Sequence, residues 1–471
     1  MATAPNSINY GDQLPLGIEA KSQRRLFFPA TGDTYTGSSN SIIRFNINYD
    51  GMLDTSQSYF KFKFTAPTET GKGLVRDLGQ PEIARLVVSS GGVVLEDIIN
   101  YNSLVGGILA PAQYGDNQMC EANHNLQLFK KRVSGADGTA IAMVGQVQQN
   151  TYFENGNLIG NLVSSEIDVG TTREGGSDSG NPTIASGKSH TFTYKLYSGL
   201  LDNEKYLPLV LMNNGLDIEI HLASPNDIGI NDFTTPEYTI SEVRYVAHLI
   251  DLQRDFYDML RMTQQQSGGV LQIAGTTFRN FTNQVDADVS GAKTYNIPVR
   301  ARSIKSVLFR FAPRVNTKTE YNLSYSSHAN VSEFQCQIGA TRYPPTSIRS
   351  NTLTNRSEPY FELMKAFGKL GSTIHQNLLR GCNYLGSDTG DLSEAEGSTL
   401  VGFAPYGIDL ETFRAEIENG IDTSSRALPL SLLVSHDVGD NLGTTDMTLH
   451  TFVMIDSLFF VNMDGSVSVS S

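Results

Sequence analysis

Several residue groups in this chain have the side-chain types of catalytic machinery, and the first is a run of three consecutive residues. Ser435, His436 and Asp437 are the three types found in a nucleophilic triad. Triad members converge in space from separate parts of a fold, whereas neighbouring residues of a β-strand point to opposite faces. We therefore expect this tripeptide to be strand sequence without nucleophilic chemistry.

A second group matches only the end of a phosphate-binding loop. Gly187, Lys188 and Ser189 have the residue types that close a P-loop. The motif also needs a glycine at position 182, so that backbone amides can surround the phosphate. This chain has Pro182 there, so the sequence does not predict nucleotide binding of this kind.

Metal and acid–base chemistry are not indicated either. The eight histidines form no HExxH pair, and Cys120, Cys336 and Cys382 are far apart with no CxxC pair, which argues against a zinc site or a disulfide framework. Glu394 and Glu396 are close together but lie in a polar segment typical of solvated charges. The sequence thus predicts no catalytic, cofactor-binding or metal-binding residues, no cofactor and no enzymatic activity.

The charge balance limits the class of partner. The formal net charge is −14, whereas coating nucleic acid requires clustered Lys and Arg. We interpret the few basic clusters as solvated faces or local contact points. They lie at Lys21, Arg24 and Arg25, at Lys130, Lys131 and Arg132, and at Arg300, Arg302 and Lys305. Residues 1–10 are polar and no run approaches about 18 apolar residues, so neither a signal peptide nor a membrane span is predicted.

Side-chain alternation indicates that most of the chain is β-structure. Ile43, Phe45 and Ile47 alternate with polar residues, and residues 60–64 alternate Phe with Lys, as in strands with one buried face. Frequent Gly, Asn, Ser and Thr supply the turns that short strands need. The spacing of apolar residues predicts helices at about 93–109, 251–262 and 358–379.

Length and an internal repeat indicate two similar domains. A chain of 471 residues exceeds one ordinary core. Gly199 precedes Leu207-Pro208-Leu209 and Gly420 precedes Leu428-Pro429-Leu430, at the same spacing of eight and a constant offset of 221. The polar residues 264–269 suggest the boundary. The predicted division is an N-terminal arm at 1–40, a first domain at 41–265 with a long loop insertion at about 117–189, and a second domain at 266–471.

Five ordered segments carry a resemblance to a known family. They are FNINYDGMLDTSQSYF at 45–60, IINYNSL at 98–104, YSGLLDNEKYLPL at 197–209, LDIEIHL at 216–222 and YFELMKAFGKL at 360–370. Together they resemble the double jelly-roll major capsid proteins of double-stranded DNA viruses, nearest to those of polinton-like viruses and virophages. The resemblance implies an all-β fold of two tandem eight-stranded jelly rolls with short helices in the loops.

The resemblance also implies a structural function. Three chains would form a homotrimer with six jelly rolls, a pseudohexameric capsomer that tiles the icosahedral shell of a virion. The implied partners are neighbouring trimers, penton proteins and minor capsid or cement proteins, with no sequence-specific nucleic acid. The N-terminal arm is the segment that would contact an inner membrane or the genome. Synthesis would take place in the host cytoplasm without secretion.

Two other functional classes stay open on the residues alone. A carbohydrate- or receptor-binding β protein, such as a spike or lectin, would need aromatic platforms in its loops, whereas the Phe and Tyr here fall mostly in predicted strands. A double jelly-roll glycan hydrolase would need paired carboxylates in a cleft, and none is visible in the sequence.

Overall fold

The computed structural model describes residues 19–68, 80–109, 189–225, 237–286, 289–314, 326–351, 355–368, 404–413, 418–425, 428–437 and 446–470. It also describes residues 112, 187 and 384 and the backbone of short strands at 73–75, 130–134, 140–144, 152–154, 157–159, 167–168, 183–185 and 400–401.

Eight strands in the first half of the chain form two facing antiparallel sheets. They are β1 (Ala20–Phe27), β2 (Ile42–Ile47), β3 (Met52–Thr65), β4 (Ile83–Ser90), β5 (Val93–Ile99), β6 (Ser189–Tyr194), β7 (Leu216–Leu222) and β8 (Thr239–Leu252). One sheet has the order β1-β8-β3-β6 and the other the order β2-β7-β4-β5. The short strand Thr34–Thr36 also pairs with β8 and makes the first sheet five-stranded. Two sheets whose eight principal strands have this order are a jelly roll, which we call roll 1.

The second half of the chain repeats the same topology. Its strands are β9 (Val270–Val285), β10 (Gly291–Ile297), β11 (Ile304–Pro313), β12 (Val331–Ile338), β13 (Thr341–Arg349), β14 (Tyr406–Asp409), β15 (Leu430–His436) and β16 (Met447–Asn462). One sheet has β9, β16 and β11 in order with β14 paired to β11, together with the short strands Ser326–Ser327, Leu400–Val401 and Val467–Ser470, and the other has the order β10-β15-β12-β13. Each of the eight principal strands thus takes the place of the strand eight earlier. We call this unit roll 2, and the predicted double jelly roll is confirmed.

In the part of the chain that the structure describes, three α-helices and a 3-10 turn at Leu209–Leu211 lie between the strands. Helix α1 (Tyr101–Leu104) continues into a π-helical turn at Val105–Leu109, α2 (Arg254–Gln266) connects the rolls, and α3 (Ser357–Ala366) follows β13. The helix predicted at 93–109 is wrong for its first half, because Val93–Ile99 forms the edge strand β5. Residues 369–379 of the third predicted helix lie outside the described residues. No helix in the described part of the chain is long and apolar enough to cross a membrane.

Matching aromatic clusters fill the cores of the two rolls. In roll 1, Phe60, Phe62 and Phe64 alternate along β3 and are fully buried, with Phe62 edge-on to Tyr194 at 5.3 Å between ring centroids. In roll 2, Phe309 on β11 stacks on Tyr406 at 5.0 Å. Aromatic pairs at such distances add stability beyond that of the buried area. The alternation that predicted β3 therefore reflects a core face.

The predicted N-terminal arm is wrong for residues 20–27. These residues form β1, which pairs along its length with β8, from Ala20 opposite Leu252 to Phe27 opposite Tyr245. All of its residues except Phe27 are exposed, so the strand has no buried face to produce the alternation on which the prediction depended. Residues 1–18 lie outside the described residues.

The predicted insertion and domain limit have different outcomes. Much of 117–189 lies outside the described residues, but its described backbone includes paired strands at Lys130–Ser134 and Ala140–Val144, so it is not a simple loop. It separates β5 from β6. The domain limit placed at 265 and 266 falls in the last turn of α2 and stays a prediction.

The sequence repeat at an offset of 221 is not the structural repeat. Leu53 at the start of β3 bridges Leu207, and Ile304 at the start of β11 bridges Ile421, an offset of 214 (421 minus 207). The strands β7 and β15 begin at Leu216 and Leu430, which are also 214 apart. The duplication is real, but the match between the two Leu-Pro-Leu segments is a coincidence seven positions out of register.

Candidate assembly surfaces

The Ser-His-Asp tripeptide lies at the end of a core strand. On β15, Ser435 Oγ donates to Glu333 Oε1 at 3.3 Å. The His436 ring is buried instead, with Nδ1 2.7 Å from the Ala329 carbonyl oxygen and Nε2 3.3 Å from Tyr295 Oη. Burial lowers the pKa of His436. The strand thus directs these two side chains to different surroundings, where they do not act on one another.

The other residues singled out in the sequence do not converge on a site. Ser189 begins β6 opposite Thr65, and the Cys336 thiol is buried, which raises its pKa. Within the described residues, no group of three or more His, Cys, Asp or Glu is arranged to hold a metal ion. The positions that lie outside the described residues are Cys120, Pro182, Lys188, Cys382, Glu394 and Glu396.

The predicted basic clusters have three different settings. Lys21, Arg24 and Arg25 lie on the exposed strand β1. The side chains of 130–132 are outside the described residues. Lys305 contradicts the prediction of a solvated strand face, because its side chain is only 14% exposed and its Nζ lies 2.9 Å from Glu411 Oε1 and 3.5 Å from Asp456 Oδ1.

A buried glutamate fixes the roll 1 side of the contact between the rolls. We define the seam as β5, α1, the π-helical turn and residues 198–203 of roll 1, packed against β9 and β11 of roll 2. Glu96 on β5 is buried and accepts hydrogen bonds from the backbone N–H of Gly199 (2.9 Å) and Leu200 (3.1 Å) and from the Ser198 hydroxyl. Burial raises the pKa of its carboxyl, and these hydrogen bonds oppose that rise. Glu96 thus fixes the roll 1 loop that contacts β9.

That loop meets roll 2 through backbone and amide groups. Asn203 Nδ2 donates to the Ala274 carbonyl oxygen at 2.7 Å, and Asn100 Nδ2 donates to Asn280 Oδ1 at 2.8 Å. A Cβ atom added to Gly275 would lie 2.3 Å from the carbonyl oxygen of Gly199. Only glycine permits this approach of two backbones, so the two rolls are in direct contact.

The outer face of β11 is covered by roll 1. Because Phe309 and Phe311 point into the core of roll 2, Arg310 between them points outward, yet it is fully buried. Its Nη1 donates to the Ser103 carbonyl oxygen at 3.3 Å, and a Cβ atom on Gly107 would lie 1.8 Å from the same nitrogen. The α1 segment of roll 1 therefore packs on the outer sheet face of roll 2.

A groove of about 350 Å³ lies beside this contact. Both rolls line it, roll 1 through Val94 and Ile99 of β5 and roll 2 through Phe278 and Phe281 of β9. Val94 and Ile99 are among the exposed large apolar side chains of the chain. The rolls are thus in direct contact at Gly199 and Gly275, and the seam is open along the groove, which Glu96 also lines.

Further exposed apolar side chains lie away from the seam. Leu26 and Phe28 lie at the end of β1, where the Arg244 guanidinium is 4.1 Å from the centre of the Phe28 ring. Phe361 on α3 is 53% exposed, and Met262 on α2 is 62% exposed. Exposed apolar groups of this size are candidates for contact with other chains.

The fold was compared with known proteins. No protein-family model matches the sequence, and no curated protein matches it. Among solved structures, the mavirus major capsid protein is similar with a TM-score of 0.53 and 10% identity over 100% of this chain and 95% of that chain. The Faustovirus major capsid protein is similar with a TM-score of 0.55 and 9% identity over 97% of this chain and 92% of that chain.

A third similar structure comes from the Sputnik virophage, solved by cryo-EM, with a TM-score of 0.56 and 12% identity over 100% of this chain and 92% of that chain. At these identities the likeness concerns the fold. It extends over nearly the full length of both chains. The chain therefore has the double jelly-roll fold found in the major capsid proteins of mavirus and Faustovirus.

Proposed function

We propose that this chain is the major capsid protein of a double-stranded DNA virus, and that it assembles as pseudohexameric trimers that tile an icosahedral shell. The observation that carries the proposal is the presence of two rolls of identical strand order in one chain. Three such chains around a threefold axis place six similar units in a ring, which packs like a hexamer. The shared fold with two major capsid proteins supports the same conclusion.

The chemistry of the chain suits a structural function. Two buried polar groups of catalytic type, His436 and Glu96, are held by hydrogen bonds in the core and in the seam. The net charge of −14 favours solubility at the high concentrations that assembly requires and disfavours coating of the genome.

The proposed partners follow from the proposed shell. They are neighbouring trimers, penton proteins and minor capsid or cement proteins, and the place of action is the virion, after synthesis in the host cytoplasm. The proposed contact of the N-terminal arm with an inner membrane or the genome now concerns residues 1–18, outside the described residues, because residues 20–27 belong to roll 1.

Size-exclusion chromatography with light scattering tests the proposal. The expected species has three times the 51.5 kDa mass of one chain or is a larger shell built from such units. A folded chain that stays monomeric at high concentration would contradict the capsid function.

A further inference from the structure

The seam inside the chain has a counterpart on its free surfaces. Within one chain, the β5 side of roll 1 covers the first strand, β9, and the outer face of the third strand, β11, of roll 2. The same elements exist a second time in the chain. In roll 2, β13 and α3 match β5 and α1 of roll 1. In roll 1, β1 and β3 match β9 and β11 of roll 2. In one chain this second set is not joined in a seam.

Exposure shows which elements lack a covering unit. Seven of the eight residues of β1 are exposed, compared with three of the sixteen residues of β9, which borders the seam. Likewise, five of the nine residues of β13 are exposed, compared with three of the seven residues of β5. The free surfaces of the chain are thus the copies of the surfaces that the seam buries.

The outer faces of the equivalent strands β3 and β11 show the same contrast. The matching residues Leu53 and Ile304 pair with Leu249 and Ile455, and four residues earlier on those partner strands Tyr245 and Thr451 pair with Phe60 and Phe309. Lys61 therefore takes the place of Arg310, and Lys63 lies two residues further along the same face. Arg310 is fully buried beneath roll 1, whereas Lys61 is partly exposed and the Lys63 side chain is 38% exposed and forms an exposed ion pair with Glu242.

Helix α3 presents a suitable surface for this face. Its residues Leu363, Met364 and Ala366 are buried against roll 2, whereas Glu358, Phe361 and Lys365 are exposed. Its free surface has Glu358 and the partly exposed Glu362, which pairs with Lys365 at 3.3 Å and so leaves one net negative charge, and the outer face of β3 has Lys61 and Lys63. The strand β13 carries the basic residues Arg342 and Arg349, which do not pair with Lys61 and Lys63. The favourable charge pairing between these surfaces therefore comes from α3.

We propose that α3 and the β13 edge of one chain dock on β1 and the outer face of β3 of a second copy, and so repeat the seam between chains. This inference rests on the proposed trimer and identifies its interface. Phe361 then takes the place of the α1 segment of roll 1 and lies over the Lys61 and Lys63 row of the neighbour. Because the contact joins roll 2 of one copy to roll 1 of the next, it is a head-to-tail contact of the kind that closes a ring when the rotation per step allows, and in the proposed trimer it occurs three times.

Charge changes at the two surfaces test the interface by light scattering. F361K places a positive charge opposite the Lys61 and Lys63 row, and K63E places a negative charge opposite the acidic groups of α3, so each introduces repulsion at a central contact. We expect each to raise the concentration at which half of the chains are trimeric by roughly thirtyfold or more, the equivalent of about 2 kcal/mol. M262E, on the exposed surface of α2, is the matched control and should trimerise like the wild type.

Cross-linking of two cysteine variants gives a second test that does not depend on loss of assembly. F361C and K63C are purified separately, mixed, dissociated and reassembled, and treated with a short bis-maleimide. The proposal predicts a cross-linked dimer in the mixture that neither variant alone yields, and peptide mapping should identify positions 361 and 63. Far-UV circular dichroism confirms that each variant is folded.

The outcomes separate this inference from the proposed function. Wild-type trimers together with trimeric F361K and K63E and no 361–63 cross-link would overturn the interface and leave the capsid function standing. A cross-link from position 63 to a different protein in purified particles would also overturn it, because the occupant would not be a second copy. A strictly monomeric wild type would contradict both proposals.

Discussion

The seam makes its sharpest prediction at two adjacent residues of β5. Glu96 is buried and accepts three hydrogen bonds from roll 1, whereas Asp97 points to the other face and forms an ion pair with Arg85, with Oδ2 2.6 Å from Nη2. We compare Glu96→Ala with Asp97→Ala. Both changes remove a carboxylate from the same strand, but only the first removes it from the contact between the rolls.

The expected costs differ because of what each carboxylate leaves behind. Without Glu96, the Gly199 N–H and the Ser198 hydroxyl lose a buried acceptor, while the Leu200 N–H keeps the Ser198 oxygen at 3.2 Å. A buried donor without an acceptor costs about 1–3 kcal/mol, so the free energy of unfolding should fall by about 2–5 kcal/mol. Loss of the partly exposed Asp97–Arg85 pair should cost about 1 kcal/mol or less.

Urea unfolding at one fixed protein concentration measures the difference. Far-UV circular dichroism reports the sheets and tyrosine fluorescence reports the aromatic cores, since the chain has no Trp. If the two variants unfold within about 1 kcal/mol of each other, Glu96 does not hold the seam and the argument is refuted.

The pH dependence of the same residue has a definite sign. Burial raises the pKa of Glu96 above its ordinary value of 4.5, so the folded state binds a proton that the unfolded state has released. The stabilising contribution of Glu96 is therefore complete below about pH 4.5 and is lost as the pH rises through the folded-state pKa. Glu96→Gln should abolish that part of the pH slope, and an unchanged slope would contradict the assignment.

Three further predictions concern other parts of the fold. Gly275→Ala should force the rolls apart, because its Cβ would lie 2.3 Å from Gly199 O. We expect the free energy of unfolding to fall by about 1–3 kcal/mol and hydrogen exchange at residues 199–201 to become faster. Native-like exchange would contradict this prediction. Phe309→Ala should cost about 3–5 kcal/mol by calorimetry, whereas Phe413→Ala, at an exposed position, should cost under about 0.5 kcal/mol; equal costs would refute the assigned core. Burial, with a smaller contribution from Arg310, lowers the pKa of His450 to about 3. The contribution of His450 to stability is therefore present above about pH 6.5 and is lost as the pH falls towards 3. An NMR titration of this ring near pH 6.5 would contradict its burial.

The strands with one buried face could be predicted from the sequence because their side chains alternate. The Phe–Lys alternation at 60–64 predicted β3, and the structure places the three Phe side chains in the core of roll 1. The edge strands β1 and β5 could not be predicted from the sequence, because they lack this alternation. β1 has almost no buried side chain, and β5 has its buried residues at Leu95, Glu96 and Ile98, which mimic helical spacing.

The seam could not be predicted because it depends on contacts that are distant in sequence. Glu96 has the appearance of an ordinary polar strand residue, and its partners Ser198, Gly199 and Leu200 are about one hundred residues away. Gly199 did attract attention in the sequence, but through a repeat in the wrong register. Its physical role is the close approach to Gly275, which only the packing of the two rolls reveals.

Imaging of the purified particles by cryo-EM tests the central claim most directly. The claim predicts hexagonal capsomers with threefold symmetry, in which six roll-sized units surround the axis and each chain contributes two. Particles that consist of single two-lobed chains, or rings with a number of roll-sized units other than six, would contradict it.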